Sequence, residues 1–240
     1  MSQPARHTPI RSTIKGVREA IPLLGGYIPV SLSFGLVATQ AGFSTWEAAV
    51  ISALIYAGAS QFLFVGMVAA GSPLWLVVAM TLLINVRHVV YGPNLASWLP
   101  PSRHWPWLMH GLTDQVFALA LTRLPQLSAP ERFSWFMGAS LLAWGVWIVG
   151  TVVGATAGET LTTRWPLLGE VMPFALPALF LTMVAPRFTD KRWALAMGST
   201  ILSALLFTLY GWSNVAIPLA AACGALCFYI VKFQAGGRTL

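Results

Sequence analysis

Charge is what this chain has least of. Only 9% of its 240 residues are Asp, Glu, Lys or Arg, against roughly a quarter in an ordinary soluble domain, which excludes a conventional water-facing globular surface. Cysteine is almost as scarce. Cys223 and Cys227 lie four apart inside one apolar run, a spacing that stacks them on a single helix face and suits them poorly for a disulfide. They read as small packing residues. The four histidines, His7, His88, His104 and His110, are scattered. No HExxH or paired-cysteine spacing accompanies them, so no metal is expected, and no phosphate loop or Ser-His-Asp order points to a cofactor or a hydrolase. The acids number seven, leaving a net charge of +7. Its basic residues occupy short gaps between apolar runs instead of forming a patch interleaved with aromatics, which argues against nucleic acid and for membrane topology.

What the chain does have is apolar length. It is 57% hydrophobic with a mean hydropathy of +0.72, and the expected fold is an all-α, polytopic integral membrane protein. Taking about 20 apolar residues per crossing, eight candidate spans fall near 21–41, 48–70, 73–99, 105–122, 133–157, 166–185, 193–210 and 212–231. Only Gly211 separates the last two, so seven spans with one long kinked element is the other count. A basic tail over residues 1–20 precedes a single transmembrane domain over 21–231, and a short tail over 232–240 follows it. With the N-terminus inside, the cytoplasmic side receives Arg6, Arg11, Lys15, Arg18, Arg123, Arg132, Arg187, Lys191, Arg192, Lys232 and Arg238; the opposite side receives Arg103 and Arg164. Both termini are therefore expected to be cytoplasmic. Trp46, Trp75, Trp98, Trp105, Trp165, Trp193 and Trp212 fall near the expected interfaces, as a tryptophan belt would.

Against that apolar background a few polar groups stand out. The stretch TLLINVRHVVYGPNL, residues 81–95, carries Asn85, Arg87, His88 and Tyr91 in mid-span. A charge near the bilayer centre costs from ~3 to more than 10 kcal/mol, so such groups face protein or a water cavity and need a partner. On a continuous helix Arg87 would share a face with Tyr91, and Asn85 with His88. The expected anionic partner is Asp114, about 14 Å into the fourth span. His110 lies one turn before it and is placed as its proton-relay partner. In the second span Ser52, Tyr56 and Ser60 recur every four residues as a hydroxyl stripe, with Gly58 opening the backbone and Gln61 between them. Helix breaks are expected at Gly25-Gly26 with Pro29, at Gly92-Pro93, and at Pro173 and Pro177 in a span that also holds Glu170. Broken helices present free backbone groups suited to ions or zwitterions. Gly150, Gly154 and Gly158 form a ladder for close helix approach, either within the chain or to a second subunit.

The motifs YIPVSLSFGLVATQAGFS, IYAGASQF, AAGSPLW and NVRHVVYGPNL, in that order, resemble the AzlC family, most closely its YgaZ-type members, over about residues 20–125. The resemblance implies a large subunit of a bacterial branched-chain amino-acid exporter in the inner membrane. Its implied substrates are valine, leucine, isoleucine and methionine, driven by the proton motive force, with a small AzlD/YgaH-type membrane subunit as partner. The positions that match are Pro29, Gly35, Tyr56, Gly58, Ser60, Gln61, Asn85, Arg87, His88 and Tyr91. Family members often carry an Asp-Glu pair where this chain has Asp114-Gln115, which leaves one carboxylate there. Substrate contact is assigned to Pro29, Tyr56, Gly58, Ser60, Gln61, Asn85, Arg87 and Tyr91. Coupling or gating falls to His88, His110, Asp114, Gln115 and Glu170.

Other classes fit less well. A membrane enzyme using His110 and Asp114 would need a nucleophile or metal set facing them, and the sequence offers none. A structural or sensory subunit without transport of its own accounts for helix breaks as packing, yet gives no reason for a mid-span arginine and aspartate.

Overall fold

The structure is a computed structural model that describes residues 9–100 and 105–236, and among these every regular element is a helix. The chain divides into two compact units, residues 1–177 and 178–240.

The first unit begins with α1 (Pro9–Ala20) and α2 (Leu24–Gln40), joined by a 3-10 turn at Ile21–Leu23. The expected tail is thus helical from Pro9 onward. Gly25-Gly26 and Pro29 do not break the helix. Pro29 lies on an exposed face, and Gly25, whose carbonyl the proline leaves without an amide, has open space around it.

The segment expected as a second crossing is instead a hairpin of half-length helices, α3 (Thr45–Leu54) and α4 (Gly58–Ala69). A Ser44–Glu47 capping box starts α3, and the Ser44 amide and hydroxyl, both donating to Glu47 Oε2 at 2.7 Å, hold that carboxyl below the usual range. Phe43 then meets Phe64 at 6.3 Å between ring centroids. On one continuous helix those residues would stand about 30 Å apart. Ala48 and Val65 share a core with Phe34 and Ala38, so α4 runs back beside α3. The turn is Ile55–Ala57, where Tyr56 takes φ of 38°, a left-handed conformation that costs a bulky residue about 1–3 kcal/mol.

Next come α5 (Leu74–Asn85) and α6 (His88–Ala96), interrupted at Val86–Arg87. The break expected at Gly92-Pro93 is absent. Both residues lie within α6, with Pro93 exposed in its second turn, and the interruption falls at the arginine instead.

A second hairpin follows, α7 (Trp105–His110) and α8 (Asp114–Arg123), turning at Gly111–Thr113. Tyr91 of α6 stacks on Phe117 of α8 at 4.2 Å. Arg132 bonds the carbonyls of both Trp98 (3.5 Å) and Leu124 (3.1 Å). Helices α6 and α8 therefore run the same way, and the chain between them doubles back. This segment, too, was expected as a crossing. Hydropathy over a window of 20 residues cannot distinguish one crossing from two half-length helices, because both bury the same apolar length.

Helix α9 (Ala129–Arg164) is the spine of the unit. It lies parallel to α1 and α2, since side chains added at Gly150, Gly154 and Gly158 would run into Ser31, Leu32 and Leu36 in turn. The glycine ladder is therefore closed against α2 within the chain, the first of the two uses expected for it, and these glycines are not available for packing to a second subunit. Gly35 in turn lets α2 approach the backbone of Thr151. From this parallel pairing the two hairpins enter from opposite ends. The first opens toward Gln40 and Arg164, the second toward Trp98 and Ala129. A long helix followed by a hairpin entering from its far end thus occurs twice in opposite senses, as an inverted repeat. Helix α10 (Pro166–Val171) and a 3-10 turn at Met172–Phe174 complete the unit. Pro173 thus falls at an interruption, as expected, whereas Pro177 lies inside α11 (Ala175–Val184), which straddles the boundary between units.

The second unit holds α12 (Lys191–Leu209) and α13 (Ser213–Gly236). Gly211, at φ of 82°, makes the turn between them. Trp193 meets Phe228 at 4.9 Å and Gly224 faces Thr200, so they are two antiparallel helices and not one kinked element. Among the described residues, four helical stretches are long and apolar enough to cross a bilayer: Pro9–Gln40, Leu74–Ala96, Ala129–Arg164 and Lys191–Leu209.

The glycine contacts give a test. Gly154→Val should lower stability by about 1–3 kcal/mol, because its side chain meets the Leu32 backbone, whereas Gly66→Ala, in open space, should leave the melting temperature in detergent nearly unchanged.

Candidate functional site

The two hairpin tips and the break between α5 and α6 meet, and each pair is joined by a side-chain bond. Ser60, in the first turn of α4, donates to Asn85 Oδ1 at 2.9 Å. Arg87 Nη1 pairs with Asp114 Oδ2 at 3.2 Å. His110 Nε2 lies 2.7 Å from the carbonyl oxygen of Ala53, linking the second tip to the first.

The ion pair is the centre of this junction. Arg87 sits in the interruption, where its side chain is set free of the α5 face, and Asp114 is the first residue of α8. A carboxylate there also gains from the positive end of the helix. The Tyr91 hydroxyl donates to the other carboxylate oxygen, so Arg87 and Tyr91 converge on one acceptor as their spacing predicts. The side chains of Arg87 and Asp114 remain 29% and 16% exposed, which leaves both reachable by a small polar solute.

Around the pair, polar side chains bond backbone groups at and beside the interruptions, and those of Ala53 and Asn85 are carbonyls that the breaks release. Ala53 is followed by no further turn of α3, and its carbonyl takes Trp144 Nε1 at 3.1 Å besides His110. Gln61 Nε2 donates to Ile51 O at 3.1 Å, and its Oε1 accepts from Trp147 Nε1 at 3.0 Å. The Ser60 hydroxyl also lies 3.0 Å from Ala57 O, so its one proton is shared between that carbonyl and Asn85. The carbonyl of Asn85, freed by the break, lies 3.1 Å from His88 Nδ1. Thr113 caps α8 through the Val116 amide and shares a hydrogen bond with the Tyr27 hydroxyl, which also donates to Gln115 Oε1 at 3.3 Å. The buried hydroxyl of Tyr56 lies toward that of Tyr27, outside hydrogen-bond geometry. Its ring lies 6.1 Å from His110 and 6.2 Å from Trp147.

The structure thus brings together Tyr56, Gly58, Ser60, Gln61, Asn85, Arg87, His88, Tyr91, His110, Asp114 and Gln115. It separates others. Pro29 is exposed on α2, and Glu170 is exposed on α10 beside the far end of α9. His110 and Asp114 flank the tip instead of stacking on one helix, and the imidazole bonds Ala53, so the expected relay pair is not formed. The stripe of Ser52, Tyr56 and Ser60 is likewise divided by the turn at Tyr56, with Ser52 bonded to Thr151 at 2.7 Å. Sequence reasoning missed Tyr27, Thr113, Trp144, Trp147 and Thr151. The two tryptophans carried a signal, since mid-span indoles far from an interface need an acceptor for their N–H.

An apolar pocket of about 600 Å³ lies where the hairpins meet α9, with Ala53, Leu108, His110, Phe136 and Trp144 among its walls and the exposed Leu54 and Leu141 at its open side. Ser140 also lines it, its buried hydroxyl without a hydrogen-bond partner among the described residues. Among those residues no group of His, Cys, Asp and Glu could hold a metal.

Breaking the ion pair from either side should destabilise the protein by about 1–3 kcal/mol, less than a fully buried pair because both groups are partly exposed. Arg87→Gln/Asp114→Asn should lose less than the sum of the single changes, as measured by thermal unfolding in detergent.

Residues 22–161, which contain this junction entire, match the family model described as AzlC protein. The inner membrane protein YgaZ of Escherichia coli is 37% identical over 218 residues, covering 89% of this chain and 86% of that protein. An uncharacterized membrane protein of Archaeoglobus fulgidus is 32% identical over 213 residues, 88% of this chain and 92% of its own length. The branched-chain amino acid transport protein AzlC of Bacillus subtilis is 24% identical over 205 residues, 84% and 78% of the two chains. No solved structure matches. With its mid-span ion pair and broken helices inside the matched region, the chain belongs to the AzlC family of membrane proteins.

Proposed function

We propose that this protein exports neutral aliphatic amino acids (valine, leucine, isoleucine and methionine) and holds each as a zwitterion between Arg87 and Asp114. The observation that carries this is the ion pair at the junction of two opposed hairpins. A substrate carboxylate can replace Asp114 at the guanidinium, and its ammonium can replace Arg87 at the carboxylate, so neither buried charge is left bare while substrate is bound. Tyr91 holds the carboxylate in register while the pair opens. The aliphatic side chain turns into the apolar pocket beside His110. Such a pocket separates substrates differing by one methylene by only about 1–3 kcal/mol, which supports a shared set of branched and unbranched side chains. The similarity to the branched-chain amino acid transport protein AzlC of Bacillus subtilis supports the same substrate class.

Because one hairpin enters from each side, parting one tip from the junction opens the site one way while the other keeps it closed. The described cations of the first unit favour one orientation. Arg11, Lys15, Arg18, Arg123 and Arg132 lie toward the end where the second hairpin enters, and Arg164 toward the other. The second hairpin is therefore the cytoplasmic gate, with the N-terminus inside. Asp114 is the coupling carboxylate. Protonation from outside cancels its hold on the ammonium and on Arg87, and loss of that proton to the cytoplasm restores the pair. The small AzlD/YgaH-type subunit completes the exporter.

In proteoliposomes loaded with labelled leucine and holding this chain with its small partner, acidifying the outside should accelerate release. Asp114→Asn should slow net release roughly tenfold or more, equivalent to at least 1.4 kcal/mol, and abolish its response to the pH gradient. Absence of leucine-dependent release from the wild type, with and without the partner, would contradict the proposal.

A further inference from the structure

Helix α1 has three faces with separate destinations. Ser12, Gly16 and Ala20 are buried, with Gly16 set against the backbone of Trp135 and Thr13 against Gly138, so this face is sealed on α9. Ile10 and Ile14 are 72% and 47% exposed. Arg11, Lys15 and Arg18, spaced i, i+4, i+7, form an exposed cationic stripe on one side of the helix. Together Arg11, Ile14, Lys15, Arg18 and Glu19 line a groove of about 430 Å³.

The acid in this groove is occupied elsewhere. Glu19 Oε2 accepts from Trp135 Nε1 at 2.9 Å and pairs with Arg123 at 3.5 Å. Its charge is thereby compensated, and the three cations of the stripe determine the field. Depth fits as well. The stretch Pro9–Gln40 is 32 residues long, about 48 Å as a helix, against a hydrocarbon core of about 30 Å. That excess of about 18 Å is enough for its basic first turns to reach the level of the headgroups.

We propose that this groove is a binding site for one anionic phospholipid, with the phosphate among Arg11, Lys15 and Arg18 and an acyl chain along Ile10 and Ile14. Three guanidinium and ammonium groups give charge-assisted donors to one phosphate, and the exposed isoleucines supply the apolar flank that a free anion would not use. The site stands apart from the transport junction and does not depend on the reading given for it. Each cation near an anionic lipid surface is worth about fivefold in affinity, so the stripe as a whole should contribute roughly a hundredfold.

The test compares lipids on the full chain in neutral detergent. Dioleoyl phosphatidylglycerol should raise the melting temperature and remain bound as one copy in native mass spectrometry, whereas dioleoyl phosphatidylcholine should do neither. Arg11→Gln/Lys15→Gln/Arg18→Gln should weaken retention of phosphatidylglycerol by roughly a hundredfold. Ile10→Ser/Ile14→Ser, which keeps the charge, should weaken it less. Lys191→Gln/Arg192→Gln/Lys232→Gln removes the same charge from the second unit and should leave retention unchanged. Equal retention of the two lipids, or equal loss in both charge-removed variants, would overturn the site in favour of diffuse surface attraction. A rise in melting temperature with inorganic phosphate alone, matching that with the lipid, would overturn the assignment to lipid.

Discussion

A cation and an anion within an apolar bundle impose the condition that the rest of this structure meets. Arg87 and Asp114 cannot each face lipid, and each needs a partner within the bundle. The chain interrupts helices at both positions, so that Arg87 leaves the helical ladder and Asp114 becomes the first residue of α8. Every interruption releases backbone groups, which in lipid must find partners. Much of the polar sequence around the site has that task. His110 and Trp144 take the carbonyl of Ala53, and His88 takes that of Asn85. Residues that read as ligands in the sequence therefore divide into a small reactive set and a larger set that makes broken helices tolerable.

The arrangement also rests on close approach between long helices. In lipid no hydrophobic driving force draws helices together, so contact depends on packing and small residues. Gly35, Gly150 and Gly154 bring α2 and α9 into backbone contact. That fixed pair holds Tyr27, Trp147 and Thr151 against the two tips from the side.

The sequence made some of this legible and concealed the rest for definable reasons. All-helical architecture followed from apolar length, and the meeting of Arg87, Tyr91 and Asp114 followed from the cost of unpaired charge and from helical spacing. The hairpins did not follow, because Tyr56 turns the chain without glycine or proline at its own position and carries no conventional turn signature. Conversely, Gly25-Gly26, Pro29 and Gly92-Pro93 look like breaks yet lie inside helices, each proline being exposed and removing one hydrogen bond from a helix that continues past it. The proposed pairing of His110 with Asp114 assumed an unbroken helix. The turn at Gly111–Thr113 removed that premise.

The account stands on direct recognition of a zwitterion by the ion pair. Binding of labelled leucine to the purified chain, measured at equilibrium in detergent for the wild type, Arg87→Gln and Arg164→Gln, tests this most directly. The account predicts that Arg87→Gln weakens leucine binding by roughly tenfold or more, the loss of one charge-assisted contact of about 1.5–3 kcal/mol, while Arg164→Gln binds as the wild type does. Equal leucine affinity in all three proteins, each folded, would contradict it.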